Sequence, residues 1–265
     1  MFRFNQSGKL FKVSLVCQIV FCFCATSLFA QEKTSPVSGF AVLELFTSQG
    51  DINSAEADKI LSEISAEAEK SGKKVYSISQ HVDFWNRLGW KDPFSSFRHT
   101  KRLQNYTSVL KIEETYTPFF LVNGEPVSGD ISKKTVNDAV SKMLGTKPVF
   151  NPEFTYEIFS DTLDLMYDLK GDLKLAKKGS ESYINVVITE TGLSTKVTKG
   201  DNAGKTLRND YVSRLFYTTN LQTSKGLLRI PLRGLKPGKN KHILLFIQDK
   251  QSRKITGAVR LEFGS

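Results

Sequence analysis

The residues with chemistry to offer gather at one turn. After the apolar run Gly39 to Phe46 the chain reads Thr47-Ser48-Gln49-Gly50-Asp51-Ile52-Asn53-Ser54, and a helical pattern follows. Asp51, Asn53 and Ser54 thus put a carboxylate, an amide and a hydroxyl at a helix start. The helix dipole favours a negative charge there by ~0.3–1 kcal/mol. An Asp, Asn or Ser cap is worth about 1 kcal/mol over Ala. On the plain reading these residues only start the helix. A sharper reading makes Ser54 a nucleophile with a histidine base, and His81 ends the neighbouring strand. A third groups His81 and Asp83, two apart on a strand and so on one face, with Asp51. That grouping is either a metal site or a hydrogen-bonded structural pair, and neither a metal nor a cofactor is expected. Trp85, Trp90, Phe94 and Phe97 are either the core of a long loop or the wall of a groove.

Sulfur chemistry depends on the leader. The chain has three cysteines, Cys17, Cys22 and Cys24. All lie in residues 1–30, where Arg3, Lys9 and Lys12 precede the apolar run Val13 to Phe29 and Ala30 follows. That is the layout of a secretory signal peptide. An uncleaved anchor is the other reading, although the run is slightly short of the roughly 20 residues a span needs. Once cleaved, the exported chain has no thiolate to attack a disulfide. The net charge of +10 is spread along the sequence. A diffuse basic surface favours solubility and weak attraction to anionic surfaces. No nucleic-acid motif occurs, and no later apolar run reaches spanning length.

The elements that position the turn read as follows. Gly39 to Phe46 is a buried strand with one carboxylate, Glu44, that needs a partner. Asn53 and Glu56 have capping-box spacing. Ala57, Leu61, Ile64 and Ala68 mark one helix face, and Gly72 stands where a C-cap glycine belongs. Lys74 to Val82 is a strand, and Phe97 to Leu110 a helix whose basic start opposes its dipole and marks either an acidic neighbour or a solvated face. A strand then follows Pro118, Asn123-Gly124 makes a hairpin turn, and a last helix runs to Gly145. Residues 147–152 read as a linker. Beyond them Glu153 to Phe159, Leu163 to Leu169, Ser182 to Glu190, Leu227 to Leu232, His242 to Asp249 and Ile255 to Phe263 alternate as strands, the pattern of an all-β sandwich.

Several strings resemble a known family. They are Leu45-Phe46-Thr47-Ser48-Gln49-Gly50, His81-Val82-Asp83-Phe84-Trp85, Leu88 to Phe94, Tyr116-Thr117-Pro118 with Val122-Asn123-Gly124, and Gly200 to Leu207. The chain resembles the secreted thioredoxin-like proteins grouped as domain of unknown function 1223. The resemblance implies an α/β thioredoxin-like domain over 38–147 and an all-β sandwich-like domain over 153–265. It also implies a cis Thr117-Pro118 bond opposite a former redox turn. Typical members carry Cys-x-x-Cys-Pro after the Thr-Ser-Gln-Gly turn. Here Asp51 and Ser54 take the cysteine positions, and Asn209 stands where a histidine is expected.

The reading that follows is a redox-inactive module in the periplasmic or secreted compartment. It binds an unknown protein or peptide, with no nucleic-acid partner and no catalytic residue. Its groove draws on Gln49, Asn53, His81, Asp83, Trp85, Trp90, Tyr116, Thr117 and Pro118. The alternatives are a thiol-disulfide oxidoreductase-family enzyme and a small hydrolase or metal site at the turn.

Overall fold

The computed structural model describes residues 39–171 and 181–264. The leader and its cysteines lie outside the described residues. In chain order the elements are β1 (Ala41–Thr47), α1 (Ser54–Lys70), β2 (Val75–His81), a 3-10 turn (Phe84–Leu88), α2 (Phe97–Leu110), β3 (Phe119–Val122), β4 (Glu125–Pro126) and α3 (Lys133–Leu144). Then come β5 (Phe150–Phe159), β6 (Thr162–Gly171), β7 (Ser182–Glu190), β8 (Leu193–Lys196), β9 (Thr206–Asn209), β10 (Val212–Asn220), β11 (Lys225–Pro231), β12 (Lys241–Asp249) and β13 (Ile255–Glu262).

The fold class differs from the expected α/β thioredoxin-like domain followed by a separate sandwich. The described chain is mostly β, and one mixed sheet of eight strands runs through it in the order β13-β12-β7-β10-β2-β1-β3-β4. β10 meets the outer edge of β2 at a single pairing. It runs parallel to β2 with Val212 opposite Ser79, and the Ser79 amide donates to Tyr211 O at 2.8 Å. β10 continues antiparallel to β7, so the strands of both halves of the sequence share one ladder. The stretch read as a linker also differs, because β5 begins inside it at the buried Phe150.

Alternation along the strands explains the layers. Leu43 and Leu45 of β1 meet Ile60, Leu61 and Ile64 of α1 and Val136 and Val140 of α3. Phe46 points the other way and meets Leu103 and Tyr106 of α2. With helices on both faces, every residue of β1 is buried, as expected for a strand covered on both sides. At the other end of the sheet, Ile184, Val186 and Ile188 of β7 and Ile243, Leu245 and Ile247 of β12 pack on Leu163, Leu165 and Ile230 of a second sheet, β11-β6-β5.

Glu44 finds its partner in the basic start of α2. Arg102 Nη2 lies 2.7 Å from Glu44 Oε1, Gln80 Nε2 donates to the same oxygen at 3.0 Å, and the Tyr106 hydroxyl donates to Oε2. Arg102 also reaches Gln248 of β12. Burial weakens the guanidinium cation, but Glu44 beside it more than compensates, so its pKa rises. At the Asn123-Gly124 turn both residues have positive φ, 49° and 81°, as a two-residue hairpin requires.

Candidate functional site

The turn after β1 sits at the carboxyl ends of the parallel strands β1 and β2, and its polar groups are spent on one another. Asp51 is buried. Its Oδ2 accepts from the hydroxyls of Ser54 at 2.8 Å and Thr117 at 2.6 Å, and Oδ1 accepts from the Asn53 amide at 3.0 Å. The Ser54 oxygen accepts in turn from the Ser48 amide at 3.3 Å. The start of α1 is therefore held by Asp51 and Ser54, and Asn53 makes no side-chain cap bond. This replaces the expected Asn53–Glu56 capping box. The Thr117-Pro118 bond is cis.

Gln49 joins three segments that are distant in sequence. Its amide donates to Asp92 Oδ2 at 2.8 Å and its Nε2 to Asn209 Oδ1 at 2.8 Å, while Trp90 Nε1 donates to its Oε1 at 3.2 Å. Trp85 donates through Nε1 to Thr117 Oγ1 at 2.8 Å, and both tryptophans are partly buried. Asn202, fully buried, donates from Nδ2 to Gln49 O at 3.0 Å and Asp51 O at 3.2 Å. Asn202 was missed as a site residue, although it lies in one of the strings that carry the family resemblance.

Beneath the turn is a buried acid–imidazole cluster. His81 Nδ1 lies 2.7 Å from Asp92 Oδ2, and both side chains are inaccessible. Burial works against the His81 cation, but Asp92 outweighs it and the pKa is raised. Burial likewise pulls the Asp92 pKa up, yet His81 and the amides of Gln49 and Phe94 hold it below the ordinary range. Asp58 of α1 takes a bond from Thr47 Oγ1 at 3.0 Å. Burial pushes its carboxyl up to about 7 against the opposing pull of His81. His81 Nε2, Ser79 Oγ and Asn209 Nδ2 are buried with no hydrogen-bond partner among the described residues.

Asp83 does not join this cluster. β2 ends at His81, and the Asp83 carboxylate takes the Thr100 hydroxyl of α2 at 2.6 Å. The strand on which His81 and Asp83 were expected to share a face stops two residues short of Asp83. Among the described residues no group of three His, Cys, Asp or Glu could hold a metal ion.

The accessible feature beside the turn is a cleft of about 400 Å³. Asn53, Glu56 and Ala57 of the α1 start form one wall, and Tyr116, Thr117 and Pro118 another. Gly129, Asp130 and Ile131 close it. Tyr116 is 49% exposed, and Ile131 and the adjacent Ile52 are also exposed. Gln49, His81, Asp83, Trp85 and Trp90 do not line this cleft.

The strings that carry the resemblance therefore meet in space: Gln49-Gly50, His81 to Phe94, Tyr116-Thr117-Pro118 and Asn202 are tied by side-chain hydrogen bonds. A family model described as protein of unknown function (DUF1223) matches residues 42–248. The chain belongs to that family. No curated protein matches this DUF1223 member. Among solved structures, an Agrobacterium tumefaciens protein from a structural genomics consortium is 21% identical. It covers 85% of this chain and 95% of its own, with a TM-score of 0.58, which shows a shared fold. A domain of the outer membrane lipoprotein Omp28 of Porphyromonas gingivalis is 17% identical over 44% of this chain and 96% of its own, TM-score 0.23. A Ruminococcus gnavus β-glucuronidase is 10% identical over 44% and 16%, TM-score 0.23. The last two are too dissimilar to bear on this DUF1223 protein. Among its described residues no helix is long and apolar enough to cross a membrane.

Proposed function

We propose that this protein is an exported, non-catalytic binding module that takes an extended peptide in the cleft beside Thr117-Pro118. One contrast carries the reading. The groups at the turn that resemble a reactive site are buried and mutually bonded, whereas the cleft next to them is open and amphipathic. Ser54 is fully buried, donates to Asp51 and accepts from Ser48, which leaves no free nucleophile there. His81 is turned to Asp92. Export is supported by the charged start and apolar run of residues 1–30.

Residues 115–118 precede β3 and stand outside its ladder with β1, which begins at Phe119. On this reading their backbone pairs with an added strand, the mode in which main-chain bonds give affinity and side-chain pockets give specificity. Tyr116 and Ile131 offer apolar contact, and Glu56 and Asp130 offer negative charge. The favoured ligand is an extended segment with one large apolar and one basic side chain. Fluorescence polarisation against a library of such peptides tests this. Tyr116→Ala and Ile131→Glu should each abolish the binding. A library in which nothing binds, or binding that survives both substitutions, overturns it.

A further inference from the structure

A larger cavity, about 840 Å³, lies away from the turn. It opens where β10 parts from β2: only Val212 of β10 pairs with β2, and the strand then runs on beside β7 alone. The start of α2 forms one side, and the turn after β11 forms the other. The volume falls within the roughly 300–1,000 Å³ of small-molecule sites.

Its charge is one-sided. Among the described residues that line it, Arg98, Arg214 and Arg233 are cationic and none is acidic. Arg98 and Arg233 make no ion pair among the described residues. Arg214 has Glu190 at 3.5 Å, but Glu190 is shared with Lys241 at 3.2 Å. Arg214 is the extra residue of a bulge in β10 between Ser213 and Leu215, and bulges re-aim side chains. Its guanidinium lies 5.6 Å from the ring centre of Phe94, another lining residue.

Two further observations point to an anion. The start of the fourteen-residue α2, capped by Ser96, forms part of the wall and has no acidic residue in its first turn. A cation such as Arg98 is unfavourable at that end of a helix dipole, and an anion is favourable. Ser213 lines the cavity, is 6% exposed, and its Oγ is buried with no partner. A lone hydroxyl of that kind is costly unless something accepts from it. His99, also in the wall, adds no charge, because burial holds the imidazole neutral at physiological pH. Phe94, Leu215, Ile230 and Leu235 supply an apolar flank.

We propose that this cavity binds a small amphipathic acid. Its carboxylate or phosphate group meets Arg98, Arg214, Arg233 and the Ser213 hydroxyl, and its hydrocarbon part lies on the apolar flank. The site is separate from the peptide cleft, so the two readings stand or fall apart.

Isothermal titration of the purified protein with decanoate, decyl phosphate, decanol and decyltrimethylammonium tests it at low ionic strength. At least one anion should bind, one molecule per chain, and at least about tenfold more tightly than decanol. The cation should not compete. Decanoate alone identifies a carboxylate site, and decyl phosphate alone a phosphate site. The double substitution Arg98→Gln with Arg233→Gln should weaken the anion at least about tenfold and leave decanol unchanged, while Tyr116→Ala leaves both unchanged. If the double variant does not fold, Arg233→Glu alone, in an exposed turn, should weaken the anion. Equal affinity for decanol and the anions, no anion binding below the micellar range, or a folded arginine variant that binds as the wild type does would overturn the proposal.

Discussion

Asp58→Asn should stabilise the protein at alkaline pH and do nothing in acid. Asp58 is 5% exposed and accepts from the Thr47 hydroxyl. Burial moves its carboxyl from 3.8 to about 7. At about 1.36 kcal/mol per pKa unit, ionising it inside the fold costs roughly 4 kcal/mol. A raised folded pKa gives a contribution fully present below 3.8 and lost as pH rises through about 7. His99 has the opposite sign. Burial depresses it from 6.5 to about 4, so its contribution is present above 6.5 and lost as pH falls through about 4. That swing is worth roughly 3 kcal/mol. In the wild type the two slopes oppose each other across that window. Asparagine is neutral at every pH and removes only the first. The variant should match the wild type near pH 4 and exceed it by roughly 4 kcal/mol at about pH 8. Between them its stability should climb more steeply with pH. The Asp58 carboxylate is one of the charges that raise the His81 pKa, so the substitution also lowers that pKa. Urea denaturation followed by circular dichroism across this range is the assay. A pH-independent offset between the two curves would refute the reasoning, and so would an asparagine variant that is the weaker protein in alkali.

Three other substitutions test the remaining parts. Arg102→Met leaves the Glu44 carboxylate buried without its cation, and should cost ~3–5 kcal/mol in urea denaturation, most of it recovered by adding Glu44→Gln. Asn202→Ala removes both bonds that clamp the turn at Gln49 O and Asp51 O. It should cost about 1–3 kcal/mol and speed amide exchange at Asn53 and Ser54, whereas unchanged exchange would show that the turn holds itself. Gly124→Ala sets a Cβ 2.0 Å from Arg253 O at a φ of +81°, and should lower the thermal midpoint by an amount equal to about 1–3 kcal/mol.

Much of the local structure was legible because it rests on short-range pattern. Leu61, Ile64 and Ala68 gave α1 its face, and Gly72, at φ +64°, ended it. Period-two runs such as Ile184, Val186 and Ile188 marked the strands of the later half. Contacts set at long range were less legible. The basic start of α2 left an acidic neighbour and a solvated face both open, because nothing local shows that Arg102 lies under Glu44, 58 positions away in sequence. Residues 147–152 read as a linker because they hold two prolines, yet Phe150 is pinned at the Gly257 backbone, which admits no side chain there.

The costliest omission was β10, and its cause is physical. Its bulge places Arg214 between Ser213 and Leu215, so the alternation that exposes other strands is interrupted, and Leu215, Phe216 and Tyr217 then follow as an unbroken apolar run. Without β10 the first four strands look self-sufficient, and an independent α/β domain is the natural conclusion. With it, the single Val212–Ser79 pairing fixes where the chain before it must lie. Asn209 and Asn202 precede that anchor by three and ten residues, within reach of the β1–α1 turn, and both bond there to Gln49. One unseen strand therefore accounts both for the mistaken fold class and for the half of the turn's support that local pattern did not show.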